Sequence, residues 1–152
     1  MKNILVTGGA GFIGSHTIKE LVKQGYKPIV LDNLSYGHKY IVGQVLKVPF
    51  VKGDISDRKL IKKLFSDFSI DAVLHFAAYA YVGESCINPI KYYENNLIGT
   101  INLLNEIIEF SKKEKKERPI PIVFSSTCAT YGITREVPIK ENHRLIGQSP
   151  YS

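Results

Sequence analysis

The sequence predicts an α/β domain built on a doubly wound parallel sheet. Short apolar runs rich in valine and isoleucine alternate with longer stretches of helical period, as in parallel strands joined by helices. The apolar runs are continuous rather than alternating, which is typical of strands covered on both faces. A glycine-rich turn separates the first run from the first helical stretch. The length of 152 residues suits one domain.

Five strands and three helices follow from this alternation. The strands are predicted at Asn3–Thr7, Pro28–Asp32, Phe50–Gly53, Ala72–Phe76 and Ile120–Ser125. The helices are predicted at Ile13–Lys23, Asp57–Phe68 and Pro89–Phe110. The second and third helices carry apolar stripes that we expect to face the core. The stripes are Leu60, Ile61, Leu64, Phe65 and Phe68, and then Leu97, Ile101, Leu104, Ile107 and Ile108.

The turn after the first strand has the spacing G-x-G-x-x-G, at Gly9, Gly11 and Gly14. Its place between a strand and a helix is the context in which this spacing binds the pyrophosphate of a dinucleotide. Gly8 or Gly9 can take a positive φ in the tight turn. Gly11 leaves room for phosphate oxygens, and Gly14 lets the helix pack close to the strand. The helix N-terminus adds unpaired N–H groups for the anion.

Asp32 closes the second strand, eighteen positions after Gly14. A carboxylate at this position accepts hydrogen bonds from the ribose hydroxyls of adenosine and repels a 2′-phosphate, which favours NAD over NADP. The alternative is that the glycines form an ordinary strand-to-helix turn and that Asp32 is a strand-end cap.

The residues that close the other strands are also candidates, because a ligand of such a sheet crosses the carboxyl ends of the strands. Asp54 can accept from the adenine amino group, and Ala77 and Ala78 leave space for the phosphate and ribose groups. The hydroxyl cluster Ser125–Thr127 lies where the nicotinamide would arrive. The alternative for Asp54 and for the serines is local capping.

Composition argues against several other classes of function. The net charge is +6, but much of the surplus lies in the run 112–118, which acidic residues interrupt and which has no aromatic residues. A solvated helix end or loop is therefore favoured over a nucleic-acid surface. Two cysteines and four scattered histidines predict no metal site. No signal peptide or membrane span is recognisable, so we expect a cytoplasmic protein with free thiols.

Together these residues resemble the extended short-chain dehydrogenase/reductase family, and within it the UDP-glucose 4-epimerases, also called UDP-galactose 4-epimerases. The resemblance covers nearly the whole chain. In the related sugar-nucleotide 4,6-dehydratases an Asp-Glu pair follows the hydroxyl of the fifth strand, whereas Cys128-Ala129 stands there in this chain. The segments that carry the resemblance are 7–16, 31–35, 53–55, 75–78, 82–85, 92–96, 99–100, 124–132 and 149–152.

The resemblance implies a Rossmann domain that holds NAD and a catalytic pair, Tyr151 and Thr127. In that family the tyrosine takes the proton of the sugar 4-OH while C4 gives hydride to NAD, and the resulting 4-keto sugar accepts hydride on its other face. Thr127 would bond the same sugar oxygen. The cofactor residues implied by the motifs and the resemblance are Gly8, Gly11, Phe12, Ile13, Gly14, Asp32, Asn33, Ser35, Asp54, Ile55, Phe76, Ala77, Ala78 and Asn95.

The resemblance also implies what a complete epimerase has after this chain. A tyrosine has an ordinary pKa of about 10, so it needs a nearby cation to act as a base at neutral pH. The family lysine would come four positions after Tyr151, and the sequence ends at Ser152. The expectation is therefore an incomplete NAD-binding domain over residues 1–152, without the last sheet strands and the UDP-sugar domain. It predicts little activity for this chain alone. The family dimerises through two helices, of which this chain has only the one that matches roughly Pro89–Phe110, and this argues against a dimer of this chain.

Two other functions fit the same residues. One is a UDP-arabinose/xylose 4-epimerase. The resemblance does not exclude it, because the pocket that discriminates between sugars lies in the C-terminal half of the family's proteins. The other is a binding module that holds NAD without catalysis, since doubly wound domains host many functions.

Overall fold

A five-stranded, fully parallel sheet forms the centre of the molecule. The computed structural model describes residues 1–115, 117–134 and 136–152. The strand order is β3-β2-β1-β4-β5, so the central strand is the first in the chain. The strands are β1 (Asn3–Thr7), β2 (Lys27–Asp32), β3 (Phe50–Lys52), β4 (Ala72–His75) and β5 (Ile122–Phe124). The α/β prediction and all five predicted strands are confirmed, with ends that differ by one or two residues.

Helices join the strands and cover both faces of the sheet. The α-helices are α1 (Phe12–Lys23), α2 (Arg58–Phe68), α3 (Val82–Ile87), α4 (Pro89–Tyr92) and α5 (Gly99–Lys113). The segments Ile41–Leu46 and Tyr93–Ile98 are π-helical, and Cys128–Tyr131 forms a 3₁₀ turn. The first two predicted helices are confirmed. The third is divided, because a π-helical segment separates α4 from α5. Helix α3 and the segment at 41–46 were not predicted, because they are too short to show a clear period.

Each face of the sheet has its own hydrophobic core. Under α2 and α5 the core contains Leu5, Leu31, Phe65 and Leu103, whereas Ile18 and Val30 lie in the core under α1. The predicted stripe of α2 is confirmed, since Ile61, Leu64 and Phe65 are buried and Leu60 and Phe68 pack against them.

The predicted core stripe of α5 is wrong in four of its five residues. Of these only Ile107 is buried, whereas Leu97, Ile101, Leu104 and Ile108 are between 37 and 54% exposed. The face that packs on the sheet is instead Gly99, Leu103, Glu106, Ile107 and Ser111. Gly99 decides the orientation, because a Cβ there would lie 2.8 Å from the Ile55 side chain and would prevent this close approach. The buried Glu106 is neutralised by Arg58, whose Nη2 lies 2.7 Å from Oε1.

The charged run 112–118 begins in the last turn of α5. Lys112 and Lys113 end α5 and are exposed, as expected of a solvated helix end. Lys116, within the same run, lies outside the described residues.

The parallel register places the carboxyl ends of the strands at one edge of the sheet. Thr7 pairs with Leu31 on one side and with His75 on the other, and His75 pairs in turn with Phe124. The loops that follow β1, β2, β4 and β5 therefore meet at this edge.

Candidate functional site

The glycine turn after β1 is closed against the loop after β4. Gly8 has a φ of +70°, a conformation that a glycine adopts without strain, and a Cβ on it would lie 2.6 Å from the backbone nitrogen of Ala77. A Cβ on Gly14 would lie 2.4 Å from the carbonyl oxygen of Gly8. These two glycines are therefore required by the fold itself, and the role predicted for Gly14 in helix packing agrees with this geometry.

Gly11 differs, because the protein does not crowd it. The nearest atom to a Cβ on Gly11 would be the Gly8 carbonyl oxygen at 3.4 Å, an ordinary contact distance. Gly11 nevertheless lines the cleft that opens above the turn. A side chain there would take space from the cleft rather than from the fold, which suits the close approach of a ligand phosphate.

Asp32 fastens this turn to the end of β2. Its Oδ2 accepts from the backbone N–H of Ala10 at 3.0 Å, and its Oδ1 accepts from that of Leu34 at 2.8 Å. The residue is 8% exposed and lines the cleft. Each carboxylate oxygen can accept a second hydrogen bond, so Asp32 caps the turn and still has capacity for a ribose hydroxyl.

Asn33 and Asp54, which follow the ends of β2 and β3, form a polar pair. The Asn33 side-chain amide donates to Asp54 Oδ2 at 2.7 Å, and the Ser56 N–H donates to Asp54 Oδ1 at 2.8 Å. Burial raises the pKa of the Asp54 carboxyl, but the hydrogen bonds from Asn33 and Ser56 lower it by more, so the net shift is downward. Asp54 is therefore a fixed, ionised acceptor.

A first cleft of about 540 Å³, open to solvent, lies above these residues. It brings together most of the sequence-predicted cofactor residues, and three of them lie elsewhere. Phe12 and Ile13 are exposed at the start of α1, and Gly14 is buried within the first turn of this helix. The predicted residues that line the cleft are Gly8, Gly11, Asp32, Asn33, Ser35, Asp54, Ile55, Phe76, Ala77, Ala78 and Asn95.

A chain of hydrogen bonds holds the loop after β4 in place. Thr7 Oγ1 lies 2.5 Å from His75 Nδ1, and His75 Nε2 lies 2.9 Å from Thr100 Oγ1. The Thr100 hydroxyl donates to the Asn96 carbonyl at 2.6 Å, so it accepts from Nε2–H, and Nδ1 is the acceptor for the Thr7 hydroxyl. Burial lowers the pKa of His75 to about 4, which keeps the ring neutral at physiological pH. The sequence alone did not indicate a role for this histidine.

A second cleft of about 580 Å³ opens on the other side of the same loop. Thr127 and Tyr151, the predicted catalytic pair, both line it, together with Ser125 and Ser126. Thr127 Oγ1 accepts from the Ala129 N–H at 3.2 Å and so caps the 3₁₀ turn. Within the described residues nothing accepts the Thr127 hydroxyl hydrogen, which remains available to a bound molecule.

The two clefts share a wall. Phe76, Ala77 and Ala78 line both of them, and the small side chains of the alanines keep this wall thin. A ligand lying over the glycine turn can therefore extend past the alanines toward Thr127 and Tyr151.

The structure adds a cluster that the sequence analysis did not find. Tyr36 and Tyr79 line the first cleft, and behind them Lys91 Nζ lies 2.6 Å from Glu84 Oε1. The signal available in the sequence was the density of tyrosines in the segment 79–93. Their contact with Tyr36, from a distant loop, has no sequence pattern.

Comparison with known proteins places these features in a family. The family model for GDP-mannose 4,6 dehydratase matches residues 5–152. The chain belongs to this family. The relatives that it matches include the UDP-glucose 4-epimerase of Halalkalibacterium halodurans, which is 51% identical over 148 residues. That match takes in 97% of this chain and 41% of the relative, so the chain spans about two fifths of the relative's length.

Solved structures of this family agree with the same assignment. The UDP-glucose 4-epimerase of Brucella ovis, crystallised with NAD, superposes with a TM-score of 0.86 at 45% identity, over 99% of this chain and 43% of that one. The enzyme of Stenotrophomonas maltophila, with bound NAD and formylated UDP-arabinopyranose, gives a TM-score of 0.90 at 36% identity, over 99% and 44% of the two chains. The predicted resemblance to UDP-glucose 4-epimerases is confirmed, and so is the Rossmann fold.

Three further observations bear on the other predictions. Within the described residues, no cluster of histidine, cysteine, aspartate and glutamate could hold a metal ion. None of the described helices is both long and apolar enough to cross a membrane. Cys86 and Cys128 are free, as predicted, and both are exposed.

Proposed function

We propose that this chain binds NAD in the first cleft and forms the cofactor half of a UDP-hexose 4-epimerase. The reaction would interconvert UDP-glucose and UDP-galactose through a 4-keto intermediate, as part of galactose metabolism in the cytoplasm. Family membership, the fold and the NAD-bound epimerase neighbours support the proposal.

The shared wall of the two clefts is the observation that carries this proposal. A dinucleotide whose pyrophosphate lies over the glycine turn and whose adenosine lies toward Asp32 would extend its other end past Ala77 and Ala78. That end would then face Thr127 and Tyr151, which line the second cleft. A cofactor bound in this way would lie next to two hydroxyl groups that can transfer a proton.

The residues fit NAD on the evidence of the glycine turn. The first cleft is open at Gly11, where a Cβ would contact only the Gly8 carbonyl and would otherwise occupy the cleft. Asp32 supplies an acceptor for ribose, and the start of α1 supplies unpaired N–H groups. Bound NAD would supply reversible hydride transfer at the sugar C4.

The chain's own residues would orient the substrate and move its proton. We assign Tyr151 to removing and returning the proton of the sugar 4-OH, and Thr127 to donating its free hydroxyl hydrogen to the same oxygen. Tyr151 lines the second cleft, and its ring lies 6.5 Å from that of Tyr92, centroid to centroid, in an edge-to-face arrangement. Cys128 and Ala129 bring no carboxyl group to this cleft, which disfavours the acid and base steps of a dehydration.

The first experiment measures cofactor binding by the 152-residue chain itself. NAD is expected to bind and to protect the chain against thermal unfolding, whereas NADP is expected to bind at least about tenfold more weakly because Asp32 repels its 2′-phosphate. Equal affinity for the two cofactors, or no binding of NAD, would contradict the proposal.

The second experiment tests the chemistry. A chimera would continue this chain after Ser152 with the remaining part of the Halalkalibacterium halodurans relative, which matches 97% of this chain. The chimera is expected to interconvert UDP-galactose and UDP-glucose, whereas its Tyr151→Phe variant and the 152-residue chain alone are expected to be inactive. A chimera that binds NAD but turns over no UDP-sugar would refute the epimerase assignment.

A UDP-pentose is the second candidate substrate. The Stenotrophomonas maltophila structure, which is similar to this chain, holds a UDP-arabinopyranose derivative. UDP-arabinose therefore belongs in the same assay of the chimera, although the sugar-discriminating residues there come from the grafted part. If the chimera is inactive on both sugars while the chain still binds NAD, the third reading, a non-catalytic NAD-binding module, is favoured.

A further inference from the structure

Four tyrosines surround an ion pair at the outer side of the first cleft. Lys91 Nζ donates to Glu84 Oε1 at 2.6 Å, and the Tyr92 hydroxyl donates to Glu84 Oε2 at 2.7 Å. Tyr36 and Tyr79 complete the inner side, where they line the cleft, and Tyr81 covers Tyr36. We call the contact between Tyr36 and Tyr79 the tyrosine bridge.

The tyrosine bridge spans the cleft from one loop to another. Tyr36 follows β2 and Tyr79 follows β4, and these two strands lie on opposite sides of β1 and its glycine turn. The two rings meet edge to face, with centroids 5.5 Å apart and an interplanar angle of 86°. Ser35 Oγ also lies 3.4 Å from the Tyr79 hydroxyl. Because Tyr36 and Tyr79 both line the cleft, the bridge would lie over a pyrophosphate bound at the glycine turn.

The ion pair of Glu84 and Lys91 contacts both tyrosines of this bridge. The Tyr36 hydroxyl donates to Glu84 Oε2 at 3.2 Å and accepts from Lys91 Nζ at 3.3 Å. Lys91 Nζ also lies 4.4 Å from the centroid of the Tyr79 ring, within the range of a cation–π contact. One cation thus touches the two tyrosines that come from opposite loops.

Both members of the pair carry their charge at neutral pH. The hydrogen bonds from Lys91 and Tyr92 lower the pKa of Glu84, and the hydrogen bond to Glu84 raises the pKa of Lys91. The Tyr92 ring anchors the pair to the body of the protein, since it is 1% exposed. The Tyr92 hydroxyl also accepts from the Tyr81 N–H at 3.1 Å, and this hydrogen bond attaches the start of α3 to Tyr92.

We propose that Glu84 and Lys91 form a gate that sets how fast a dinucleotide enters and leaves the first cleft, by holding Tyr36 against Tyr79. Neither Glu84 nor Lys91 lines the cleft, so they act as positioning residues through the two tyrosines. The proposal rests on the proposed binding of NAD.

A gate has a kinetic signature that a simple ligand contact lacks. On this proposal a dinucleotide under the tyrosine bridge leaves when the bridge opens, and by microscopic reversibility it enters through the same opening. Weakening the bridge therefore raises the association and dissociation rate constants together and leaves their ratio, the Kd, nearly unchanged. Loss of a direct contact instead raises the dissociation rate constant and the Kd while the association rate constant stays the same.

Stopped-flow measurements on the 152-residue chain test the gate. NADH is the probe, because its own fluorescence reports binding, and dissociation is followed after displacement by excess NAD. The variants Lys91→Met and Glu84→Gln are expected to raise both rate constants by about five- to tenfold, the effect of one lost charge-assisted contact on a barrier. The Kd is expected to change by less than about twofold on the same reasoning.

Two further variants separate the gate from a general structural effect. Lys63→Met breaks the exposed ion pair between Lys63 and Asp67 on α2, away from the cleft, and is expected to leave both rate constants unchanged. Tyr36→Phe keeps the ring but removes the hydroxyl that Glu84 and Lys91 hold, so it tests the gate if the charge variants fail to fold. Circular dichroism checks the fold of each variant.

The outcomes are distinct. Unchanged rate constants in the folded variants, or a raised Kd with an unchanged association rate constant, would overturn the gate and leave the proposed function intact. Failure of the unaltered chain to bind NADH would overturn the proposed function and the gate with it.

Discussion

The carboxylate of Asp32 stabilises the fold and also lies in the candidate site. Its two oxygens hold the N–H groups of Ala10 and Leu34, and the same residue lines the first cleft. The two readings of the sequence, a strand-end cap and a ribose ligand, are therefore compatible at this residue. The capping role is observed, and the ribose contact remains a prediction.

Asp32→Asn is expected to weaken NAD binding by about ten- to hundredfold, because the ribose loses a charged acceptor. The variant should also lower the free energy of unfolding by about 1–2 kcal/mol, since an amide group replaces an acceptor for a backbone N–H. Asp71→Asn is the matched control, because Asp71 Oδ2 accepts from the Asn3 N–H at 2.8 Å at the opposite end of the sheet. Isothermal titration with NAD and chemical denaturation measure the two effects, and equal losses of NAD affinity in both variants would refute the ribose role.

Gly11 and Gly14 are expected to fail in different ways when alanine replaces them. Gly14→Ala places a Cβ 2.4 Å from a carbonyl oxygen and should lower the free energy of unfolding by about 1–3 kcal/mol. Gly11→Ala should change it by less than about 1 kcal/mol but weaken NAD binding more than about tenfold, because the methyl group occupies the cleft. Gly43→Ala, where a Cβ would meet nothing within 4 Å, is the control. Normal NAD affinity in Gly11→Ala would contradict the assigned path of the pyrophosphate.

Among the elements, β1, β4 and α5 are joined by a side chain that the sequence did not single out. His75 bonds Thr7 on β1 and Thr100 on α5 through its two ring nitrogens. A lone histidine in an apolar run is ambiguous, because neither partner is near it in the sequence. The pairing of parallel strands with a covering helix brings the three residues together.

This link should make stability depend on pH. The pKa of His75 is about 4 in the folded protein, against 6.5 for the ordinary group, so the unfolded chain binds more protons between these values. The contribution of His75 is therefore fully present above pH 6.5 and is lost as the pH falls toward 4, by an amount of about 3 kcal/mol. Denaturation curves between pH 4 and 7 measure it, and His75→Gln should flatten this part of the profile. An unchanged slope in His75→Gln would show that other groups cause it.

Helix α5 shows where prediction of an element from its apolar pattern fails. The sequence offers two apolar stripes on this helix, and periodicity alone does not say which one meets the sheet. The choice depends on Gly99 and on the compensation of Glu106 by Arg58, both of which involve residues from other elements. The stripe of α2 was predicted correctly because its apolar residues form a single face.

For the molecule as a whole, the sequence predicted the class of fold, the five strands and the edge of the sheet that carries the site. These follow from alternation, from the glycine turn and from the direction of parallel strands, which are local signals or general rules. The strand order and the tyrosine bridge are non-local, because they depend on which distant loops meet. The cofactor role of Phe12 and Ile13 stays a prediction. Their side chains are exposed, and the motif predicts a backbone conformation rather than the exposure of its side chains.

The central position of β1 has a consequence for the time course of folding. β1 pairs with its sequence neighbour β2 on one side, but on the other side it must wait for β4, and Thr7 and His75 are 68 residues apart. Pairings of such long range close slowly, so we expect the half containing β1, α1 and β2 to organise first and β4 to dock later. During synthesis the glycine turn would leave the ribosome long before Ala77 and Tyr79 can close over it. Competence to bind a dinucleotide should therefore appear late and in one step, which makes it a reporter of completed folding.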